Sequence, residues 1–244
     1  MVDFESLKIN GFDFEEMITA QGWNMYFEML NGPIYTGIVK EFWMKARVFD
    51  KVSARMEEEK AIKGNPSLAG KTRAEMGLCE FNETVIKSVL AGIEITISRA
   101  HLAKLLSLKD SGKRIADYKN EVYYRQSIKK ELYEDENLAG KSKCMKDFYV
   151  VLFKVLINNI ILRGGGTDTI SWEHQHLLYF LNSKKKVNLV DLLFEYLCHA
   201  IRESNFRHVT TLVYPGLLSD LFYQTKLVKV LKKIYPGFAD EERA

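Results

Sequence analysis

The chain has 244 residues, 47% of them hydrophobic and 27% charged, and carries a formal net charge of +3 at pH 7. This length can bury a sizeable core, and so small a charge does not demand a nucleic-acid or membrane partner. Three scattered cysteines and an acidic start indicate reduced thiols and no secretion signal, so we expect an intracellular protein, nuclear or cytoplasmic, without a transmembrane helix.

The first part of the chain is predicted to be helical. Apolar residues recur at helical spacing over 13–30, with a possible break at Gly22, and again over 34–42. The stretch 51–64 is highly charged and predicts either an exposed helix or a frayed arm.

A loop is predicted over 65–78, with a short helical turn inside it. Thr72 and Glu75 stand at the spacing of a capping box, in which each residue satisfies the other's free backbone N–H. Gly77 follows as a residue that can close the turn.

The clearest local pattern lies between residues 84 and 106. A run rich in β-branched residues leads to a turn at Gly92, and isoleucines then alternate with polar residues over 93–97. Ser98 is a good N-cap for the leucine-containing helix that follows. Alternating residues over 44–49 predict a third strand, because an isolated hairpin is only marginally stable.

The second half of the chain is predicted to be all helical, after a polar, poorly periodic segment that we interpret as a surface excursion or a hinge. We therefore expect an α+β fold that is mostly α-helical, with a small antiparallel meander in the N-terminal half. The predicted parts are 1–108, 109–146 and 147–244, with the first and last packed together. The predicted late helices cover 148–160, 172–181 and 189–202, one that begins at Pro215, and 227–234.

One candidate catalytic motif is the triplet formed by Asp110, Ser111 and Gly112, which matches retroviral-type aspartic proteases. In those enzymes two copies of the aspartate share one proton in a dimer, and each lies on a tight loop between hydrophobic strands. Here a helix-like run precedes the triplet, and the charged pair 113–114 follows it. We therefore favour an ordinary turn.

Carboxylates are the next candidates for chemistry. Asp191 and Glu195 share one helix face, and 133–136 is an acidic run. A two-metal nuclease or integrase site needs further carboxylates placed with such a pair, and the sequence does not place them. We favour ordinary charged surface for both groups.

Histidine, cysteine and glycine motifs are weaker still. His174 and His176 are two residues apart, which places them on different helix faces, and a CxxC pair is absent from the sequence. Cys198 and His199 diverge on a helix, so a core cysteine is the better interpretation. The run 164–167 lacks the Gly-Lys-Ser/Thr of a phosphate loop and joins two helices, which predicts a helix stop.

The best basic cluster comprises Lys184, Lys185 and Lys186, between two predicted helices. These lysines are candidates for weak contacts with nucleic-acid phosphates, and the alternative is an idle solvated loop. We predict no catalytic, cofactor-binding or metal-binding residues.

Short motifs in a fixed order run through most of the chain, from about Phe12 to the last helix. They are QGW at 21–23, YF at 26–27, GPIY at 32–35, VKEFW at 39–43, PSLAGKTR at 66–73, EMGL at 75–78, GIEITI at 92–97, GGGTD at 164–168 and AIRE at 200–203. Together they resemble the putative plant transposon protein domain, a group found in plant genomes beside or inside retroelements. The resemblance implies no catalytic residues and no transposase activity.

Three classes of function remain open from the sequence. The favoured one is a non-enzymatic, retroelement-derived structural or interaction protein that self-associates or binds other retroelement proteins. The alternative is an accessory protein that binds nucleic acid weakly and without sequence preference, and the third is a degenerate nuclease-like or integrase-like enzyme. An exposed apolar patch would favour the first, a contiguous basic face the second and converging carboxylates the third.

Overall fold

Helices dominate the computed structural model, which describes residues 2–161, 166, 168–207, 212–235 and 237. The helices in this part of the chain are α1 (Phe4–Ile9), α2 (Glu15–Gln21), α3 (Asn24–Met29), α4 (Thr36–Lys45), α5 (Lys51–Gly64), α6 (Arg99–Leu105), α7 (Arg125–Leu132), α8 (Asp147–Asn159), α9 (Trp172–Asn182), α10 (Leu189–Arg207), α11 (Pro215–Gln224) and α12 (Leu227–Ile234). The strands are β1 (Arg47–Phe49), β2 (Val85–Leu90) and β3 (Ile93–Ile97). The predicted fold class, mostly helical with a small antiparallel sheet in the N-terminal half, is confirmed.

The sheet is an antiparallel meander in the order β1-β2-β3. Ala91 and Gly92 form its tight turn with φ of 48° and 83°, the left-handed pair that matches the twist of a hairpin. One face packs on α4, where Ser88 Oγ donates a hydrogen bond of 2.8 Å to the carbonyl oxygen of Phe42. The predicted hairpin is therefore confirmed in both its turn and its buried face.

The start of the third strand differs from the prediction of 44–49. Helix α4 continues to Lys45, and β1 begins only at Arg47. Ile38 and Phe42 lie on the buried face of α4, and Met44 lies outside this face as an exposed residue of the same helix. The alternation of residues was too short to separate a strand from the end of a helix.

A capping box orders the loop that follows α5, and ion pairs join this loop to the helix. The backbone N–H of Thr72 donates to the Glu75 carboxylate at 2.7 Å, as the capping-box prediction requires. Arg73 forms ion pairs with Glu57 at 2.8 Å and with Glu58 at 2.9 Å. Helix α5 is thus an exposed helix tied to the loop, which excludes the alternative of a frayed arm.

The segment 109–146 is less detached than its polar composition predicts. It contains α7, whose Ile128 and Leu132 are fully buried, and α7 packs against α9. The buried residues of the three predicted parts belong to one continuous apolar core. The buried residues of α7, Ile128 and Leu132, are four positions apart, which is helical spacing. The many charged residues around them obscured this pattern in the sequence.

The C-terminal half contains helices and isolated bridges, without a strand element, in the ranges that the structure describes. Helix α8 lies in the core, where the Tyr26 and Tyr214 hydroxyls donate to the carbonyl oxygens of Asn159 and Ile160 at its end. The predicted helix stop at 164–167 falls outside the described residues, apart from Gly166. Among the described helices, none combines the length and the apolar character needed to cross a membrane.

Candidate functional site

The triplet of Asp110, Ser111 and Gly112 lies against the link between α9 and α10. The backbone N–H of Lys113 donates to the carbonyl oxygen of Lys186 at 2.8 Å, and the backbone N–H of Asn188 donates to the carbonyl oxygen of Lys113 at 3.0 Å. Asn188 Nδ2 also donates to Asp110 Oδ1 at 2.7 Å. The triplet therefore fixes the start of α10 in place.

Gly112 is the residue that permits this close approach. Its φ is +115°, and a Cβ atom at this position would lie 2.9 Å from the backbone oxygen of Lys186. A side chain would therefore meet both backbone strain and a clash. These contacts give the Asp-Ser-Gly triplet a structural role and support the turn interpretation over a protease loop.

The first turn of α10 holds the best-formed polar cluster of the described residues. Asn188 Oδ1 accepts the backbone N–H of Asp191 at 2.9 Å, which caps the helix. The interpretation of Asp191 as ordinary charged surface is wrong, because its carboxylate is buried and lies 3.2 Å from Arg99 Nε and 3.6 Å from Arg114 Nε. Arg99 also forms an ion pair with Glu195, one turn further along α10.

In this cluster two guanidinium groups balance the charges of two carboxylates. Burial raises the pKa of the Asp191 carboxyl, while Arg99 and Arg114 act in the opposite direction. Asp191 and Glu195 line a groove of about 310 Å³ that also includes His199 and Arg202. A cation entering this groove would have to compete with guanidinium groups for the same oxygens.

The arrangement does not resemble a metal centre. Within the described residues, no group of three or more His, Cys, Asp or Glu side chains is placed to hold a metal ion. Asp135 of the acidic run instead accepts the backbone N–H of Asn137 at 2.9 Å, and so caps a short 3-10 turn. Glu136 accepts a hydrogen bond of 2.5 Å from Gln126.

The two histidines of α9 are core residues. His174 Nε2 and the Tyr196 hydroxyl form a hydrogen bond of 2.8 Å. His176 is fully buried, and its Nδ1 lies 2.7 Å from the carbonyl oxygen of Trp172, an acceptor for the ring N–H. Burial lowers the pKa of His176, so its imidazole is neutral at pH 7.

Cys198 is also part of the core rather than a nucleophile. Its side chain is buried in α10, and burial raises the pKa of its thiol to about 12. A thiol with this pKa contains very little of the reactive thiolate at pH 7. His199 is exposed on the groove and points to a different helix face, as the sequence predicted.

The three lysines of the predicted basic loop each contact the protein. Lys184 forms an ion pair with Glu16 at 2.6 Å. The Lys185 Nζ atom lies 4.3 Å from the ring centroid of Tyr124, a cation–π contact. Lys186 Nζ donates to the carbonyl oxygen of Ala20. Their contact with nucleic acid stays a prediction.

Sequence reasoning missed Arg99 and Arg114, the residues that neutralise Asp191. Arg99 follows the N-cap of α6, and Arg114 lies shortly after the Asp-Ser-Gly triplet, so neither belongs to a motif that indicates a partner far along the chain.

Comparison of the chain with protein-family models, with curated proteins and with solved structures finds no match.

Proposed function

We propose that this protein is a non-enzymatic structural or interaction protein derived from a plant retroelement, and that it acts by self-association or by binding other proteins of the element. The retroelement origin rests on the ordered motifs of the sequence. The observation that carries the non-enzymatic part is the Asp191 carboxylate, which is buried between the guanidinium groups of Arg99 and Arg114.

The side chains that sequence motifs nominate for chemistry are used by the fold. A general acid or base must exchange a proton with a substrate, and a metal-binding carboxylate must have free oxygens. Asp110 and Asp191 instead hold the start of α10, His176 is enclosed by aromatic rings, and the Cys198 thiol is buried. These contacts support a scaffold rather than a catalyst.

An apolar groove beside strand β3 supports the interaction part of the proposal. It encloses about 400 Å³ and is lined by Ile93 and Ile95 of the strand and by Leu227 and Val230 of α12. In the described part of the chain, β3 pairs with β2 alone, so its other edge faces this groove. An unpaired strand edge next to apolar side chains is a common place for another polypeptide to dock.

The proposal is tested by measuring self-association and protein partners together. Sedimentation of the purified chain over a range of concentrations reports self-association, and crosslinking in plant extracts reports partners. We expect Val230→Glu to weaken the protein contacts, whereas Val52→Glu on α5 serves as a matched control, because both valines are exposed.

Two results would contradict the proposal. One is a chain that stays monomeric and crosslinks to no protein, or whose contacts are indifferent to Val230→Glu. The other is turnover of a peptide or phosphodiester bond that disappears in Asp191→Asn while the fold is kept.

A further inference from the structure

A second basic surface lies on the last helix, away from the predicted lysine loop. Its charged residues are Lys226, Lys229, Lys232 and Lys233, which we call the lysine face. Together with Tyr223 of α11 they line a concavity of about 610 Å³. This volume is within the range of pockets that hold small organic ligands, so it can take one or a few nucleotides.

Three lysines of the lysine face carry charge that no carboxylate balances in the described part of the chain. Lys229 and Lys233 are four residues apart and share one side of α12, and Lys226 is the N-cap residue that precedes the helix. Among the residues described, no acidic side chain lines the concavity, and no carboxylate forms an ion pair with Lys226, Lys229 or Lys233. Lys184, in contrast, is paired with Glu16.

A bound anion would relieve a local repulsion at this face. Like charges four residues apart on a helix repel, as Lys229 and Lys233 do. The position of Lys232 and Lys233 in the last turn of α12 acts in the opposite direction, because cations interact favourably with the C-terminal end of a helix.

An aromatic ring stands beside these charges. The side chain of Tyr223 is 62% exposed, although a tyrosine of this size is normally at least half buried. Its ring is parallel to that of Tyr35 within 8°, with centroids 6.5 Å apart, and Tyr35 is only 1% exposed. Tyr35 therefore belongs to the rigid core behind the site, while Tyr223 offers its ring to a ligand.

We propose that the lysine face and Tyr223 form a binding site for single-stranded nucleic acid. The lysines contact phosphates, and an unpaired base stacks on Tyr223, which is the combination that binds single strands without reading their sequence. Gln224 is the remaining polar amide of the site, and its Nε2 donates to Asp220 at 2.7 Å. Neither the phosphate contacts of the lysines nor stacking on Tyr223 reads the edge of a base, so we expect the site to discriminate little between bases.

A duplex fits this chemistry less well, since its bases are stacked on one another and unavailable to Tyr223. The charges also favour a polyanion over an apolar polypeptide. The inference is independent of the proposed interaction function, whose groove is lined by other residues of α12, Leu227 and Val230.

The test measures binding of labelled oligothymidylate and of a duplex of equal length by fluorescence anisotropy as salt is varied. With three or four phosphates neutralised, we expect the logarithm of the affinity to fall by about 2–3 per decade of salt. Tyr223→Ala should weaken single-strand binding about 5- to 150-fold, and Tyr223→Phe should retain it, because phenylalanine keeps the stacking surface.

A charge-matched pair of variants locates the site. Lys229→Ala with Lys233→Ala removes two charges from the lysine face and should lower the salt slope by about 1.4. Lys184→Ala with Lys186→Ala tests the competing candidates in the other loop. If the lysine face is the site, this variant leaves both affinity and slope unchanged, because Lys184 and Lys186 are engaged with Glu16 and Ala20.

Several outcomes would overturn the inference. They are no binding of single strands at low salt, equal binding of the duplex, loss of binding in the Lys184/Lys186 variant alone, or binding that is indifferent to Tyr223→Ala. Stronger binding to vesicles of phosphatidylcholine and phosphatidylserine, with no response to Tyr223→Ala, would assign the face to a membrane surface instead. Circular dichroism of each variant shows whether the fold is kept.

Discussion

The guanidinium of Arg99, at the start of α6, bonds the buried carboxylate of Asp191, which lies 92 positions away on the first turn of α10. The bond connects the helix that follows the N-terminal sheet with the longest helix of the C-terminal half. The same Arg99 lies over the ring of Phe194, with Cζ 4.7 Å from the centroid. Asp191, a candidate for catalysis in the sequence, is therefore part of an ion pair that joins α6 to α10.

The hydrogen bond between Asp110 and Asn188 provides a first prediction. Asp110→Ala leaves the buried Nδ2 of Asn188 without its acceptor, so we expect a loss of about 1–2 kcal/mol in the free energy of unfolding. Asp110→Asn keeps an oxygen acceptor and should cost much less. Urea unfolding of both variants checks this, and equal losses would show that the bond does not stabilise the link.

The second prediction concerns the glycine of the same triplet. Gly112→Ala should lose about 2–4 kcal/mol, because its φ of +115° and its contact with the Lys186 backbone both oppose a side chain. Gly92→Ala is the matched control, since Gly92 also has a positive φ, +83°, but open space around it. Its loss should be about 1 kcal/mol. Similar losses at the two positions would rule out the close approach.

His176 predicts how stability depends on pH. Its folded-state pKa lies below the unfolded value of about 6.5, so the unfolded chain takes up a proton first as the pH falls. The contribution of His176 to the free energy of unfolding is therefore constant above this pH and declines below it, by at most about 1.4 kcal/mol per pH unit.

The matching experiment compares unfolding of the native chain and of His176→Phe between about pH 5 and 8. The phenylalanine keeps an aromatic ring beside Tyr118 and Phe180 but cannot take up a proton. The variant should lose less stability on acidification. Parallel pH profiles would mean that His176 has the same pKa in the folded and in the unfolded chain.

The cysteines predict a selective chemical reaction. Cys79 is exposed, whereas Cys198 is buried and burial raises the pKa of its thiol to about 12. With iodoacetamide at pH 8, peptide mapping should find Cys79 modified in the native protein and Cys198 modified only after unfolding. Rapid alkylation of Cys198 in the folded chain would show that its thiol is accessible and reactive, and it would again be a candidate nucleophile.

The sequence predicted local structure better than long-range contacts. Isoleucines in β3, the turn at Gly92 and the pair of Thr72 and Glu75 are signals contained within a few residues, and the structure confirms each of them. The partners of Arg99 and Arg114 lie far along the chain, so spacing alone could not identify them.

The basic surfaces show the same limit. Three consecutive lysines, 184–186, are conspicuous in the sequence, but their contacts with Glu16, Tyr124 and Ala20 appear only when the chain is folded. The lysine face had a sequence signal, which is the closely spaced lysines Lys226, Lys229 and Lys233 in and just before the last helix. Its concavity and the exposed ring of Tyr223 depend on the turn between α11 and α12.

The central claim is that Arg99 and Asp191 are a coupled structural pair, in which the guanidinium compensates a buried carboxylate, and not a catalytic group. A double-mutant cycle of Arg99→Met and Asp191→Asn, measured by unfolding in urea, tests it most directly. Arg99→Met alone leaves a buried carboxylate with only the more distant Arg114, and should cost about 3 kcal/mol at pH 7.

The pH dependence of that variant has a definite sign. Burial already places the folded-state pKa of Asp191 above its unfolded value, and removal of Arg99 raises it further. The ionised carboxylate is therefore destabilising at neutral pH, and the stability lost in Arg99→Met should be partly regained as the pH falls toward the range where Asp191 takes up a proton.

The decisive quantity is the coupling free energy between the two residues at pH 7. We expect Asp191→Asn alone to change the free energy of unfolding little. In the double variant it should restore about 1 kcal/mol or more of the stability lost in Arg99→Met. Additive losses, or an Asp191→Asn variant that is more stable than the native chain and has lost a measurable activity, would contradict the central claim, because removal of a catalytic charge commonly raises stability.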